Sequence, residues 1–331
     1  MRNLVPRRCR LMRANLLCFV SGACVVITML SFFAPLSGSS RDDNHDVLAT
    51  SLTSTTFSVI KHRDGKWMFD NACETNESFA KTKLHTPTGD TNIFLYPPEQ
   101  DVWVSGFIWR EGKWELDLVH IMHNILKQHP GWIFMDVGAN IGVYTVSLAK
   151  AGREVIAIEP LATNVKRLCR SLKEGHFKGV VHLIKNAVSD SRRPITLGGM
   201  PSNVGGTYIK DVADESADSV KESEQTILLD DLAHVLRGRT VIMKMDIEKH
   251  EAWALKGGTN FFRLVDVRYL LMEFNTEKQQ GDSVKWVVQF LQEHHMVAVK
   301  PGNFSHRYDP AKLLDWPSDV MWIKETLTSR N

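Results

Sequence analysis

The regular alternation of short apolar runs with segments of helical periodicity constrains the fold of this chain most strongly. It extends from Ile133 to Ile323. Apolar runs of about four to eight residues favour buried strands, whereas a 3.6-residue period favours helices. Because consecutive parallel strands need a crossover connection, this order of elements is typical of an α/β protein. The sequence therefore predicts an α/β fold with a mainly parallel sheet.

Seven runs are predicted strands, and at least four segments between them are predicted helices. The strand sequences are IFMDV, EVIAIE, VVHLI, TVIMKMDI, VRYLLMEF, MVAVK and DVMWIKE; the helical ones are VYTVSLAKA, ATNVKRLCRSLKE, EAWALK and SVKWVVQFLQEHH. A polar tract from Met200 to Glu224 interrupts the alternation. Its composition predicts a mobile surface insertion.

The N-terminal region contains an uncharged apolar segment from Leu16 to Leu36. About 20 apolar residues in a helix span the ~30 Å hydrocarbon core of a bilayer, whereas the apolar core of a cleaved signal peptide is shorter. Five arginines and no acidic residue precede the segment. The positive-inside rule then predicts a cytosolic tail at 1–15 and a signal anchor at 16–36, with the remaining chain in the lumen. This is the layout of a single-pass type II membrane protein, and a cleaved signal peptide is the alternative.

The next segment, 37–90, is rich in Ser, Thr, Asp, Asn and His. Such a composition buries too little apolar surface to offset the entropy of folding, so it predicts a stem before a globular domain at 91–331. In a luminal protein, the sequons at Asn76 and Asn303 are potential glycosylation sites. Cys73 and Cys169 either pair in the oxidising lumen or stay free, and the helical position of Cys169 favours a buried free thiol.

Charge and metal-ligand patterns exclude two classes of function. With 40 Lys and Arg against 38 Asp and Glu, the formal net charge is only +2, which provides no extended basic surface for nucleic acid. His120 and His123 lack a third ligand at zinc spacing, and His294 and His295 are adjacent residues at a helix end. The sequence therefore predicts neither a nucleic-acid partner nor a metal site.

A glycine-containing loop follows the first of the seven strands. Asp136 ends the strand, and Gly138, Asn140 and Gly142 lie in the loop before a helix. Glycines allow a ligand to approach the backbone, and the helix N-terminus offers free N–H donors. Asn140 stands where a dinucleotide fingerprint has its middle glycine, which argues against pyrophosphate. Glu159 ends the second strand and is placed to accept both hydroxyls of a ribose, so the sequence predicts a nucleoside ligand.

A second group of acidic residues follows the fourth strand. Alternation along TVIMKMDIE places Lys244, Asp246 and Glu248 on one side of the strand. Ligands of open α/β sheets bind at the carboxyl ends of the strands, where Asp246 and Glu248 would lie. The alternative is a structural ion-pair network. For Glu251, stabilisation of a helix N-terminus is the favoured role.

Several motifs occur together in a characteristic order. They are FMDVGANIGVYTVSLAKAG, VIAIEPLATNVKRL, NAVSD, TILLDDL and IMKMDIEKHEAWALKGG, with REGKWE upstream, and they cover about residues 100–275. In this respect the chain resembles the FkbM-type family of S-adenosylmethionine-dependent methyltransferases. The resemblance implies a class I methyltransferase fold, a Rossmann-like, seven-stranded and mainly parallel sheet whose last strand is antiparallel. Lys249 departs from the family's DxEGxE signature, which has glycine there.

The resemblance also implies roles for individual residues. Glu159 would clamp the ribose, Asp246 would lie beside the methyl donor, and Glu248 would contact the acceptor or serve as its base. The other residues expected at the cofactor are Asp136, Gly138, Asn140 and Gly142 around the methionine and ribose, and Asn186 and Ala187 near the adenine.

Together these features predict an S-adenosylmethionine-dependent O-methyltransferase that acts on a hydroxyl group. The type II layout resembles that of Golgi glycan-modifying enzymes, so a glycan in the Golgi or another secretory compartment is the expected acceptor. The expected partners are the cofactor, this acceptor and the lipid bilayer through residues 16–36. The alternatives are a Golgi-type glycosyltransferase, although the chain has no DxD motif, and a non-catalytic membrane-anchored binding module, which Lys249 would favour.

Overall fold

The computed structural model describes residues 43–54, 57–200, 202–210, 222–274 and 282–325. The predicted cytosolic tail at 1–15 and signal anchor at 16–36 lie outside these residues. Among the residues described, no helix combines the length and apolarity that a membrane crossing requires.

The bounds of the helices and strands follow the chain. The helices are α1 (Asp43–Thr53), α2 (Val104–Glu111), α3 (Leu116–Gln128), α4 (Val143–Lys150), α5 (Ala162–Gly175), α6 (Asp230–Ala233), α7 (Glu251–Lys256), α8 (Thr259–Leu264) and α9 (Asp282–Glu293), with a 3-10 helix at Pro310–Asp315. The strands are β1 (Ser58–Arg63), β2 (Lys66–Phe69), β3 (Ala80–Leu84), β4 (Thr91–Leu95), β5 (Ile133–Val137), β6 (Val155–Ile158), β7 (Val181–Ile184), β8 (Ala187–Val188), β9 (Pro194–Met200), β10 (Asn203–Lys210), β11 (Glu222–Ile227), β12 (Thr240–Met245), β13 (Asp266–Glu273), β14 (Met296–Lys300), β15 (Asn303–Arg307) and β16 (Asp319–Lys324).

The central sheet contains all seven predicted strands. In the described chain it has ten strands in the order β15-β14-β16-β13-β12-β5-β6-β7-β1-β2. The strands from β13 to β7 pair in parallel, and β16 is antiparallel to both of its neighbours. Every residue of β5 is buried, as expected for a strand covered on both faces. The prediction of a mainly parallel sheet with an antiparallel last strand is confirmed.

The stem predicted at 37–90 is wrong for the part that the structure describes. A compact unit begins at Asp42. Leu48 of α1 and Ile60 of β1 belong to the apolar core, and β1 extends the sheet by pairing in parallel with β7. The low average hydrophobicity concealed this, because a short helix and an edge strand need only a few apolar residues on one face. The folded domain therefore starts well before residue 91.

Cys73 and Cys169 form a disulfide, with their Cα atoms 5.3 Å apart. Cys169 is buried on α5, and Lys173 on the same helix donates to the carbonyl of Cys73 at 3.0 Å. The expectation of a free thiol is therefore wrong. The two cysteines are 96 residues apart, and their proximity depends on how the segment after β2 packs along α5.

The polar tract at 200–224 forms strands where the structure describes it. In that part of the chain, β8 to β11 make a second sheet in the order β10-β9-β11-β8. Ile195, Leu197 and Ala187 contribute to a small apolar cluster beneath it. The tract is thus part of the folded structure in its described portion, and the prediction of a mobile insertion is wrong there.

Candidate active site

A cavity of about 420 Å³ lies at the carboxyl ends of β5, β6 and β12. Its volume is in the range typical of small-molecule sites. The loops after these strands form its floor, and β10 covers one side. Trp103, at the start of α2, and Trp114 and Glu115, just before α3, complete the wall.

The loop after β5 presents bare backbone to this cavity. Gly138 has a φ of +85°, and its N–H donates to the carbonyl of Ile158 at 3.0 Å. A Cβ atom at Gly138 would lie 1.9 Å from the carbonyl oxygen of Asp246, so the close approach of the two strand ends requires glycine. Gly142 does not line the cavity. A Cβ atom there would lie 2.2 Å from Cδ1 of Leu168, so this glycine allows α4 and α5 to pack.

Glu159 lies in the cavity wall, where the sequence predicted a ribose clamp. Its Oε2 accepts from the backbone N–H of Asn140 at 2.8 Å, and its Oε1 accepts from Leu161 N at 2.9 Å and Asn164 Nδ2 at 3.1 Å. Burial raises the pKa of Glu159 to about 7, although these hydrogen bonds favour the carboxylate. A carboxylate oxygen has two lone pairs, so Oε2 retains acceptor capacity toward a ligand.

Asp136 lies behind the loop and does not line the cavity. Its Oδ2 accepts from the backbone N–H and the hydroxyl of Thr145, at 3.1 and 2.6 Å. Within the described chain, Oδ1 has no hydrogen-bond partner. Burial raises the pKa of Asp136. The structure thus assigns Asp136 a role in anchoring the first turn of α4, which differs from the direct cofactor contact that the sequence predicted.

Asn186 and Ala187 line the cavity on the side of β7. The Asn186 side chain accepts from His62 N at 2.7 Å and donates to the carbonyls of His62 and Gln225, both at 2.9 Å. This amide therefore holds β1 and β11 together. Asn186 and Ala187 occupy the wall that the resemblance predicted, while the polar atoms of Asn186 bind protein backbone.

Lys244 and Asp246 form an ion pair across the end of β12. Lys244 Nζ lies 2.9 Å from Asp246 Oδ2, and Lys244 is only 8% exposed. Burial by itself would lower the pKa of Lys244, but the carboxylates of Asp246, Glu115 and Asp136 outweigh it and raise that pKa. The predicted proximity of Lys244 and Asp246 is confirmed, and Asp246 carries its own counter-ion.

The turn after Asp246 keeps the shape that the family signature implies. Glu248 and Lys249 have φ values of 53° and 70°, in the left-handed region where a side chain costs about 1–2 kcal/mol. Lys249 thus adopts the conformation that glycine takes freely. The buried Glu251 accepts from Ile247 N at 3.1 Å, and burial raises the pKa of Glu251 to about 8. Its place at the start of α7 fits the stabilising role predicted for it.

Four cavity residues carry functional groups to which the sequence assigned no role in the site. Glu115 lies in the REGKWE motif and Tyr144 in the helix after the glycine loop, whereas Glu273 ends β13 and Asp319 begins β16. Only Glu115 and Tyr144 fall within motifs visible in the sequence. Carboxylate oxygens of Asp246, Glu248 and Glu273 lie within 4.8 Å of one another. The sequence analysis did not anticipate three acidic groups this close together.

The comparison with protein families bears on the same residues. Residues 136–297 match the family model described as "Methyltransferase FkbM domain". The match covers the loop of Gly138, Glu159, Asn186 and the turn from Asp246 to Glu251. It supports a methyltransferase of the FkbM family, and therefore the use of S-adenosylmethionine. No curated protein matches the chain.

Solved methyltransferase structures share part of the architecture. One is the magnesium protoporphyrin IX methyltransferase of Synechocystis PCC 6803 with bound SAM, at 15% identity over 62% of this chain and 78% of that chain, with a TM-score of 0.34. Another is an rRNA methylase of Streptococcus thermophilus, at 16% identity over 63% and 96% of the two chains, with a TM-score of 0.35. Similarity at this level says nothing about what this chain methylates.

The cavity suits the cofactor that an FkbM methyltransferase uses. The backbone of Gly138 leaves room that a Cβ atom would fill, and Glu159 keeps acceptor capacity for a ribose hydroxyl. S-adenosylmethionine has a positively charged sulfur, and an acidic cavity favours a cation. Carboxylates on the lining come from Glu115, Glu159, Asp246, Glu248, Glu273 and Asp319, against the single ammonium group of Lys244 in the described lining.

Proposed function

We propose that this chain is an S-adenosylmethionine-dependent O-methyltransferase whose acceptor is a hydroxyl group of a glycan. The observation that carries the methyl-transfer part is the acidic cavity at the strand ends, whose Gly138 loop and Glu159 lie within the matched residues. Glu159 and the backbone around Gly138 and Asn140 would hold the cofactor. The cofactor supplies an electrophilic methyl group, whose bond to sulfur breaks with its electron pair remaining on sulfur as the new bond to oxygen forms.

The protein's contribution is mainly alignment. Correct placement of two reactants supplies about 7–11 kcal/mol, whereas a positioned base typically adds ~10²–10⁴-fold. Asp246 would orient the donor side through its ion pair with Lys244, and Glu248 would contact the acceptor. His250 also lines the cavity, but its Nε2 lies 2.9 Å from the hydroxyl of Ser189 and its ring stacks on Trp253. These contacts favour a supporting role for His250.

The rim of the cavity supports a carbohydrate acceptor. Trp103 lines the cavity and is 63% exposed, and Trp114 forms an edge-to-face pair with Phe107, with ring centroids 5.7 Å apart. A large exposed aromatic face at the mouth of a polar cavity is suited to stack on a sugar ring. The acidic groups deeper in the cavity would then accept hydrogen bonds from sugar hydroxyls.

The proposed location is the lumen of the Golgi or of another secretory compartment, with the chain anchored as a type II membrane protein. The apolar segment at 16–36 and the arginines before it favour this orientation. The disulfide between Cys73 and Cys169 adds support, because disulfides persist mainly in oxidising compartments. Asn76 is exposed beside this disulfide, where an oligosaccharide could be attached.

Methyl transfer is tested with the full chain in detergent-permeabilised microsomes supplied with S-adenosylmethionine labelled in its methyl group. We expect label in glycans that are released from the glycoprotein or glycolipid fraction. The Glu159→Ala variant, produced at the same level, should transfer little label at low cofactor concentration. Label confined to protein or nucleic acid would refute the glycan acceptor, and unlabelled macromolecules would refute the proposed activity.

Location is tested with protease added to intact microsomes. The domain should be spared and an N-terminal epitope removed. Replacement of Asn76 by Gln should abolish an endoglycosidase-sensitive shift, and Asn303→Gln should matter less because Asn303 lies between Pro301 and Phe304. Digestion of the domain with protection of the epitope would show the opposite orientation.

A further inference from the structure

Glu115 has a backbone conformation that its own helix does not explain. It precedes α3 at the N-cap position with φ 47° and ψ 34°, yet its side chain caps no N–H group of that helix. A left-handed conformation costs a residue with a side chain about 1–2 kcal/mol. Such strain persists only where the surrounding structure maintains it, and it is frequent at functional sites.

The carboxylate of Glu115 is instead directed to the cavity, where Tyr144 holds it. The Tyr144 hydroxyl donates to Oε2 of Glu115 at 2.7 Å. Within the described chain, Oε1 accepts no hydrogen bond. Because Glu115 lines the cavity, a ligand hydroxyl there has access to a carboxylate with one oxygen fixed and the other available.

The groups around Glu115 set its basicity. Burial raises the pKa of Glu115, as do the negative charges of Asp246 and Asp319, while the Lys244 ammonium and the Tyr144 hydroxyl act in the opposite direction. Lys244 lies over the Tyr144 ring, 5.0 Å from its centroid, so the cation and the phenol form one support for the carboxylate. The net effect is a carboxylate more basic than an exposed glutamate.

We propose that Glu115 is the base that accepts the proton of the acceptor hydroxyl, a role that rests on the proposed function. The O–H bond of the acceptor breaks, its proton bonds to Oε1 of Glu115, and its electron pair remains on the oxygen that is methylated. Asp246 is neutralised by Lys244 and stays with the donor side. Glu248 is then an acceptor contact, and Tyr144 is a positioning residue that acts through Glu115.

The first test compares Glu115→Gln with Glu111→Gln in the full chain. Glu111 is an exposed glutamate at the end of α2 and does not line the cavity, so it is the matched control. We expect Glu115→Gln to lower the rate of methyl transfer to released glycans by ~10²–10⁴-fold. Its dissociation constant for S-adenosylmethionine and its denaturation midpoint should stay close to those of Glu111→Gln.

The pH profile separates a base from a structural carboxylate. Transfer by the wild type should rise with pH as Glu115 ionises, and this acidic limb should be missing in Glu115→Gln. The Tyr144→Phe variant removes a hydrogen bond that favours the charged form, so its acidic limb should move to higher pH. A ¹³C carboxyl resonance that is absent in Glu115→Gln should titrate above the ordinary glutamate range and shift the same way in Tyr144→Phe.

The outcomes are distinguishable. If the wild type transfers no methyl group to glycans, the proposed function fails, whatever Glu115 does. If the wild type is active and Glu115→Gln is equally active, Glu115 is not the base. Loss of cofactor binding or stability in proportion to activity would make Glu115 a structural residue. An ordinary carboxyl titration, or an acidic limb unmoved in Tyr144→Phe, would also overturn the assignment.

Discussion

The close approach of two strand ends at Gly138 leads to a prediction whose size follows from the structure. In Gly138→Ala, the new Cβ atom would lie 1.9 Å from the carbonyl oxygen of Asp246, whereas such atoms normally stay about 3.5 Å apart. The ends of β5 and β12 would have to separate by about 1.5 Å. That movement strains the hydrogen bond from Asp246 N to the Val137 carbonyl, now 3.0 Å long.

The expected cost combines two effects. A side chain at a φ of +85° costs about 1–2 kcal/mol, and loss of the hydrogen bond between the strand ends adds about 0.5–1.5 kcal/mol. Residual overlap adds more, so we expect a loss of roughly 2–4 kcal/mol in the free energy of unfolding. Because the same loop faces the cavity, affinity for S-adenosylmethionine should fall at least tenfold, about 1.4 kcal/mol or more.

Gly152→Ala is the matched control. Gly152 has a φ of +78°, but a Cβ atom there would meet nothing within 4 Å, and the residue does not line the cavity. It should lose only about 1–2 kcal/mol and keep its cofactor affinity. Urea denaturation and isothermal titration of the two variants measure both quantities. Equal stability and equal affinity would refute the view that Gly138 is required by a backbone contact at the site.

Three further predictions concern other parts of the molecule. Glu159→Ala should weaken S-adenosylmethionine binding at least tenfold in titration calorimetry, because each charge-assisted hydrogen bond contributes ~1.5–3 kcal/mol, and unchanged affinity would contradict the ribose clamp. Burial raises the pKa of Glu251 from 4.5 to about 8, so the free energy of unfolding should fall as pH rises through that window. Glu251→Gln should flatten this dependence in urea midpoints measured at the two ends, and an unchanged slope would place the titrating group elsewhere. Replacing Cys73 and Cys169 together by Ala should lower the free energy of unfolding by about 2–5 kcal/mol, and an unaltered midpoint would show that the disulfide does not stabilise the domain.

Sequence reasoning was most successful where the relevant signal is local. The seven strands were visible as apolar runs, and their sheet has the expected order because parallel strands joined by helices have few ways to pack. Gly138, Glu159 and Asp246 directly follow strands, so their convergence at one edge of the sheet could be predicted from the fold class. Periodicity and strand-end position were sufficient for these features.

Tertiary structure decided the features that depend on residues far apart in the chain. The pairing of β1 with β7, the disulfide from Cys73 to Cys169 and the approach of Glu115 to Tyr144 each join segments separated by dozens of residues. The depth of Asp136 behind the loop was equally hidden, since a strand end shows which residue stands there and not which way its carboxylate turns. Local preferences determine where strands and helices form, but the cavity is created by long-range packing, which no single segment of the sequence encodes.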